Sequence, residues 1–133
     1  MTKTLTIASD LNCLSQVEQF VDEFCTKAHV SQDIYGNILV SLSEAASYAI
    51  LHGNKSDENK RVQIKGTLDD ELKMLAFEVT DEGRGFDFAL LPDPTSPQNI
   101  EHENGRGVFL MRILADFVTY SNEGSTVEMK FKI

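Results

Sequence analysis

With 133 residues, a hydrophobic share of 41% and a charged share of 25%, the chain has the size and composition of one globular domain spanning 1–133. Its formal net charge of −9 excludes the basic footprint of a sequence-independent nucleic-acid binder, and no apolar run approaches the about 18 residues of a membrane helix. The opening MTKTLTIASD has no signal-peptide core, and Cys13 and Cys25 fit neither a metal spacing nor a disulfide framework, so a cytoplasmic protein with reduced thiols is expected.

In chain order, KTLTIA alternates and reads as a strand with Leu5 and Ile7 on one face. Leu14, Val17, Val21, Phe24 and Ala28 then recur at helical spacing. Ser31 starts a second helix with Ile34, Ile38, Leu42, Ala45 and Ala49 as its stripe, and Gly53 is expected to end it as a left-handed stop. After the polar loop NKSDENK come two strands, VQIKGTL and LKMLAFEVTD, turning at DDE. The three prolines fall in LPDPTSPQNIEHEN, an irregular loop, and GRGVFLMRILADF reads as a short helix. FVTYSNEGSTVEMKFKI closes the chain as a hairpin turning at Asn122–Gly124. The order β-α-α-β-β-α-β-β predicts an α/β (α+β) two-layer sandwich. Its sheet should be mixed but mostly antiparallel, with three helices on one face and the other face solvated or used as an interface.

Four places carry candidate chemistry. Alternation puts Asp81 on the face of Leu75, Phe77 and Val79, where a carboxylate needs a hydrogen-bond partner. Gly83 and Gly85, in DEGRGFDF, allow sharp turning or close approach of a ligand. Gly105, Arg106 and Gly107 open a helix, where exposed N–H groups favour an anion. Glu44 lies on the second helix beside Val40, Tyr48 and Leu51. Each alone has an ordinary structural reading: a strand-end cap, two glycine turns, a helix-flank glutamate. Neither the dinucleotide fingerprint nor the P-loop is present.

Taken together and in this order, the motifs closely resemble the Bergerat-type ATP-binding domain shared by gyrase, histidine kinases and MutL. SLSEAASYAILHGN, DEGRGFDF, GRGVFLMRILAD and EGSTVEMKFKI resemble most the bacterial anti-sigma-factor serine kinases. The resemblance covers essentially the whole chain. It implies ATP or ADP binding, with Asp81 accepting the adenine amino group and the Ser125 hydroxyl supporting it. Gly83 and Gly85 would lie against the nucleotide, residues 91–104 would form a lid, and Gly105, Arg106 and Gly107 would cradle the phosphates. Glu44 would be the general base. The implied partners are an antagonist protein and a sigma factor, and the implied assembly is a homodimer.

One position departs from the family pattern. Where an asparagine oxygen is expected to hold Mg²⁺, one turn after Glu44, this chain has Tyr48. A neutral phenol is a poor ligand for a hard cation, so Mg²⁺ binding at this position is not expected and phosphoryl transfer should suffer. Three functions stay open: a serine kinase, a regulatory binding module without the chemistry, and a sensor-kinase ATPase domain separated from its histidine. The last ranks lowest because no phosphoacceptor helix precedes the domain, and His29, His52 and His102 read as surface or helix-end residues.

Overall fold

Period-two alternation along the strands sets the architecture of the computed structural model, which describes residues 1–83, 110–122 and 125–133. Strands β1 (Thr2–Ala8), β2 (Arg61–Asp69), β3 (Met74–Thr80), β4 (Phe117–Ser121) and β5 (Thr126–Lys132) form one sheet in the order β1-β2-β3-β5-β4. All described pairings are antiparallel, so the sheet is not mixed here. Ile7, Val62, Ile64, Leu75, Phe77, Val79, Val127, Met129 and Phe131 share one buried face. The opposite face carries Thr4, Gln63, Lys65, Glu78, Glu128 and Lys130, exposed or half-buried. That face is left open by the described helices of the chain, with the polar residues that the alternation predicts.

The helices lie on the apolar face. Helix α1 (Leu14–Lys27) follows a 3₁₀ turn whose N-cap, Asp10, accepts from the Asn12 N–H. Helix α2 (Gln32–Tyr48) starts where the Ser31 side chain accepts from the Ile34 N–H. Val17, Val21 and Phe24 of α1 and Ile38, Leu42 and Ala46 of α2 join the sheet in a single core. A third helix, α3, is described over residues 110–114 and adds Met111. Phe24 meets Phe77 edge-on at 5.2 Å between ring centres, and Phe77 meets Phe131 at 6.3 Å. Each buried phenylalanine contributes about 1.5–3 kcal/mol. Burial pushes the Cys25 thiol up to about 11, with Asp22 adding to the effect, so it is an unreactive core group.

The stretch Gln32–Gly53 is long and apolar enough, by composition, to cross a membrane. Here Ile38, Leu42, Ala45, Ala46, Ala49 and Ile50 are spent on the core instead. The end of this stretch departs from expectation. Past Tyr48 the helix widens into a π turn, Ala49–Gly53, closed by the Asn54 N–H on the Ala49 carbonyl at 2.8 Å. The left-handed residues beyond it are Lys55 and Ser56 (φ 52° and 58°), so Gly53 is not a left-handed stop. Its reason for being glycine lies in the site.

Candidate functional site

Strand β3 ends at Thr80, opposite Thr126 of β5. The next residue, Asp81, donates its N–H to the Ser125 carbonyl at 2.9 Å, and its side chain points to the helix-covered face as the alternation predicts. The chain then turns sharply, and the Gly83 N–H donates to Asp81 Oδ1 at 2.8 Å. The carboxylate rests directly on Gly53. A Cβ added at Gly53 would overlap Asp81 Oδ2 and Cγ, and one added at Gly83 would overlap the Gly53 carbonyl. Two backbones and a carboxylate meet there with no space for a methyl group.

Asp81 is half-buried, and its pKa is raised. Burial is the main cause, while the Gly83 N–H and the charge of Lys60 pull the other way. Among the described residues the Gly83 N–H is the only hydrogen-bond donor to this carboxylate. One phenol, Tyr48, stands near Asp81, and a second, Tyr120, stands near Tyr48. Tyr48 is half-buried, its ring lies 4.8 Å from that of His52, and its pKa is raised by burial first and then by Tyr120 and Asp81. Tyr120 faces inward from β4, opposite Val127. Burial raises its pKa too, against the guanidinium of Arg112. Sequence reasoning passed over Tyr120, although the alternation of FVTYS puts Val118 and Tyr120 on the inner face.

Asn54, the first residue of the polar run NKSDENK, is 1% exposed. Its Nδ2 donates to Ser9 Oγ at 2.8 Å and to the Arg61 carbonyl at 3.0 Å, and its Oδ1 accepts the Glu82 N–H at 2.8 Å. Ser125 lies beside Asp81 through the backbone, but its hydroxyl donates to the Asn122 carbonyl at 2.9 Å. Glu44 is half-buried one turn before Tyr48 and makes no hydrogen bond to Asp81 among the described residues. Gly85, Gly105, Arg106, Gly107 and the loop 91–104 lie outside the described residues. Clefts of about 310 Å³ between β1 and α1 and about 260 Å³ on the open sheet face are both remote from Asp81.

A partly buried acid with a single backbone donor among the described residues can accept from an amino group, while Gly53 and Gly83 let the two backbones and this carboxylate meet. The model of the histidine kinase-like ATPase domain matches residues 7–131. The chain belongs to that family, in its anti-sigma serine-kinase branch. The serine-protein kinase RsbW of Bacillus subtilis (strain 168) is 35% identical over 101 residues, covering 70% of this chain and 61% of that protein. The chain thus spans less than two thirds of that relative. RsbW of Bacillus licheniformis is 30% identical over 112 residues, 78% of this chain and 68% of that one.

Solved structures agree on the fold. The RsbU and RsbW domains of a Mycobacterium tuberculosis protein match with a TM-score of 0.70 at 15% identity, over 99% of this chain and 32% of that one. The histidine kinase domain of a blue-light activated kinase from Erythrobacter litoralis EL346 matches at 0.53 and 19% identity, over 94% and 61%. Family membership implies a nucleotide, and among the described residues Asp81 has the acceptor character that an adenine amino group requires, with the Tyr48 ring near it. The described residues do not fit the family's metal position. A phenol is neutral at physiological pH and burial moves Tyr48 further from ionisation, which leaves a weak oxygen donor where a hard cation needs a strong one.

Proposed function

We propose that the chain binds ADP and ATP at the end of α2 and acts as an anti-sigma regulatory factor in partner switching. One observation carries the reading: Asp81 is held half out of water against Gly53, with the Gly83 N–H as its only described donor. A site that keeps an acid in that condition gains by meeting an amino group. In this reading Asp81 accepts the adenine amino hydrogen, Ser125 supports it, and Gly83 and Gly85 face the nucleotide. Gly105, Arg106 and Gly107 hold the phosphates, and Glu44 takes the proton of the attacking serine hydroxyl. The partners are an antagonist protein and a sigma factor. The assembly is a homodimer in the cytoplasm.

The second reading, a regulatory module that binds nucleotide and partner but transfers phosphate poorly, is favoured by Tyr48. A phenol can hydrogen-bond to Glu44 or to a phosphate, but it does not replace an amide oxygen on a cation. Charge neutralisation by metal dominates phosphoryl transfer, so this substitution should reduce catalysis more than binding. Calorimetric titration with ADP and ATP, with and without Mg²⁺, followed by a phosphate-transfer assay on the antagonist protein, separates the readings. Nucleotide binding with fast, Mg²⁺-dependent transfer supports the kinase. Binding with little Mg²⁺ dependence and negligible transfer supports the module. No binding at millimolar nucleotide rules out both.

A further inference from the structure

We infer that Asn54 is a positioning residue for this site: its carboxamide replaces a peptide unit between the ends of β2 and β3 and thereby aims the Asp81–Gly83 turn at the end of α2. The inference rests on reading that corner as the nucleotide site. The last rung between the two strands pairs Gln63 with Thr80. Two residues further, the same antiparallel register would set Arg61 opposite Glu82. Backbone does not close that rung. The Glu82 N–H donates to Asn54 Oδ1 at 2.8 Å, Asn54 Nδ2 donates to the Arg61 carbonyl at 3.0 Å, and the Arg61 N–H donates to the Glu82 carboxylate. A primary amide offers an acceptor and donors on one planar group, as a peptide does, so it can be inserted where one rung would have been.

The insertion is fixed from other directions as well. Asn54 Nδ2 also donates to Ser9 Oγ at 2.8 Å, and Ser9 Oγ donates to the Lys60 carbonyl at 2.7 Å. The Asn54 backbone N–H closes the π turn at the end of α2. One side chain, 1% exposed, therefore ties together the ends of β1, β2, β3 and α2. With its amide between them, the chain after Thr80 parts from β2 and passes over Gly53, where the Asp81 carboxylate rests. The helix bearing Glu44 and Tyr48 and the turn bearing Asp81 are joined through this residue.

Among the closest alternatives, aspartate lacks a donor for the Arg61 carbonyl and leucine lacks both functions. Alanine leaves the Glu82 N–H and the Arg61 carbonyl without the partner they have now. Ser9→Ala is the control, because it removes part of the same network without touching Glu82.

The test compares Asn54→Ala with Ser9→Ala by melting temperature, ADP calorimetry and amide hydrogen exchange at Glu82 and Gly83. Both variants should melt below wild type. Only Asn54→Ala should speed exchange at Glu82 and Gly83 and weaken ADP by about tenfold or more. Ser9→Ala should keep ADP affinity within about twofold of wild type. Equal affinity losses in the two variants, or a folded Asn54→Ala with unchanged exchange at Glu82, overturns the inference. If Asn54→Ala does not fold, wild-type NMR decides: the Asn54 side-chain amide should exchange slowly and shift on ADP addition, and a fast-exchanging, unshifted amide contradicts the role. Should wild type not bind ADP, the nucleotide reading fails by itself, and exchange at Glu82 and Gly83 still decides whether Asn54 holds the turn.

Discussion

Beneath α1 the sheet is held by Phe24, Phe77 and Phe131, packed edge-on and almost excluded from water. At the end of α2 it is held by Asn54, Ser9, Asp81 and the two tyrosines 48 and 120. The first region needs volume and apolar area, and residues of similar size could share the task. The second needs particular atoms at particular distances, because each buried polar group costs stability unless it is paired. Asp81 goes further, since its ionised form is disfavoured by burial even with the Gly83 N–H in place. Apolar stability is concentrated in one region, and the proposed nucleotide site lies in the other.

If that division is right, the largest effect on stability lies far from the site. Phe77→Ala should cost about 3–5 kcal/mol in urea unfolding, while any molecules still folded bind ADP as wild type does. A parallel loss of ADP affinity per folded molecule would erase the distinction. Gly53→Ala should be the sharpest intrusion into the second region. Its methyl group would land on the Asp81 carboxylate, costing about 1–3 kcal/mol and displacing the acceptor, so calorimetry should show weakened ADP. Unchanged affinity would mean that Asp81 does not need its present seat.

The pH dependence also separates the regions, because the aromatic core has nothing to titrate. Burial raises the Asp81 pKa, so the folded chain binds this proton at higher pH than the unfolded chain, whose value is about 3.9. The contribution of Asp81 to stability therefore rises as pH falls through the raised folded value. In the proposed reading ADP meets the ionised carboxylate, so its affinity should fall in the same window, approaching about tenfold per pH unit below the free pKa. Titrations over a descending pH series check this, and Asp81→Asn should remove the dependence. Tyr48→Asn should have the smallest effect: ADP affinity without metal changes by less than about threefold, while Mg²⁺ dependence and phosphate transfer increase. A wild type that already transfers phosphate briskly with Mg²⁺, and is unaltered by Tyr48→Asn, contradicts the role given to the phenol.

The same division explains how much of the molecule was legible in the sequence. VQIKGTL and LKMLAFEVTD declare their inner faces residue by residue, and the helical stripes of α1 and α2 declare theirs, because burial imposes a local period. Asp81 was placed correctly by that period. Gly53 was misread, because a glycine after a helix looks the same whether it turns the chain or makes room for a side chain from a distant strand. Asn54 was hidden in the polar run NKSDENK, since a buried amide and a solvated one are spelled alike. For Ser125, the resemblance implies support of Asp81, yet the hairpin at Asn122 engages its hydroxyl. Contacts between elements, unlike periods within them, leave no mark on the local sequence.

Calorimetric titration of ADP into wild type and Asp81→Asn, at neutral pH without added metal, tests the central claim most directly. The substitution keeps the shape and removes a charge that burial disfavours, so the variant should melt no lower than wild type. It also turns part of the acceptor edge into a donor, so ADP should bind about 10- to 100-fold more weakly. Wild type that binds ADP and a variant that is equally stable but binds poorly is the predicted result. Equal ADP affinity in the two proteins, or no binding by either, contradicts the account.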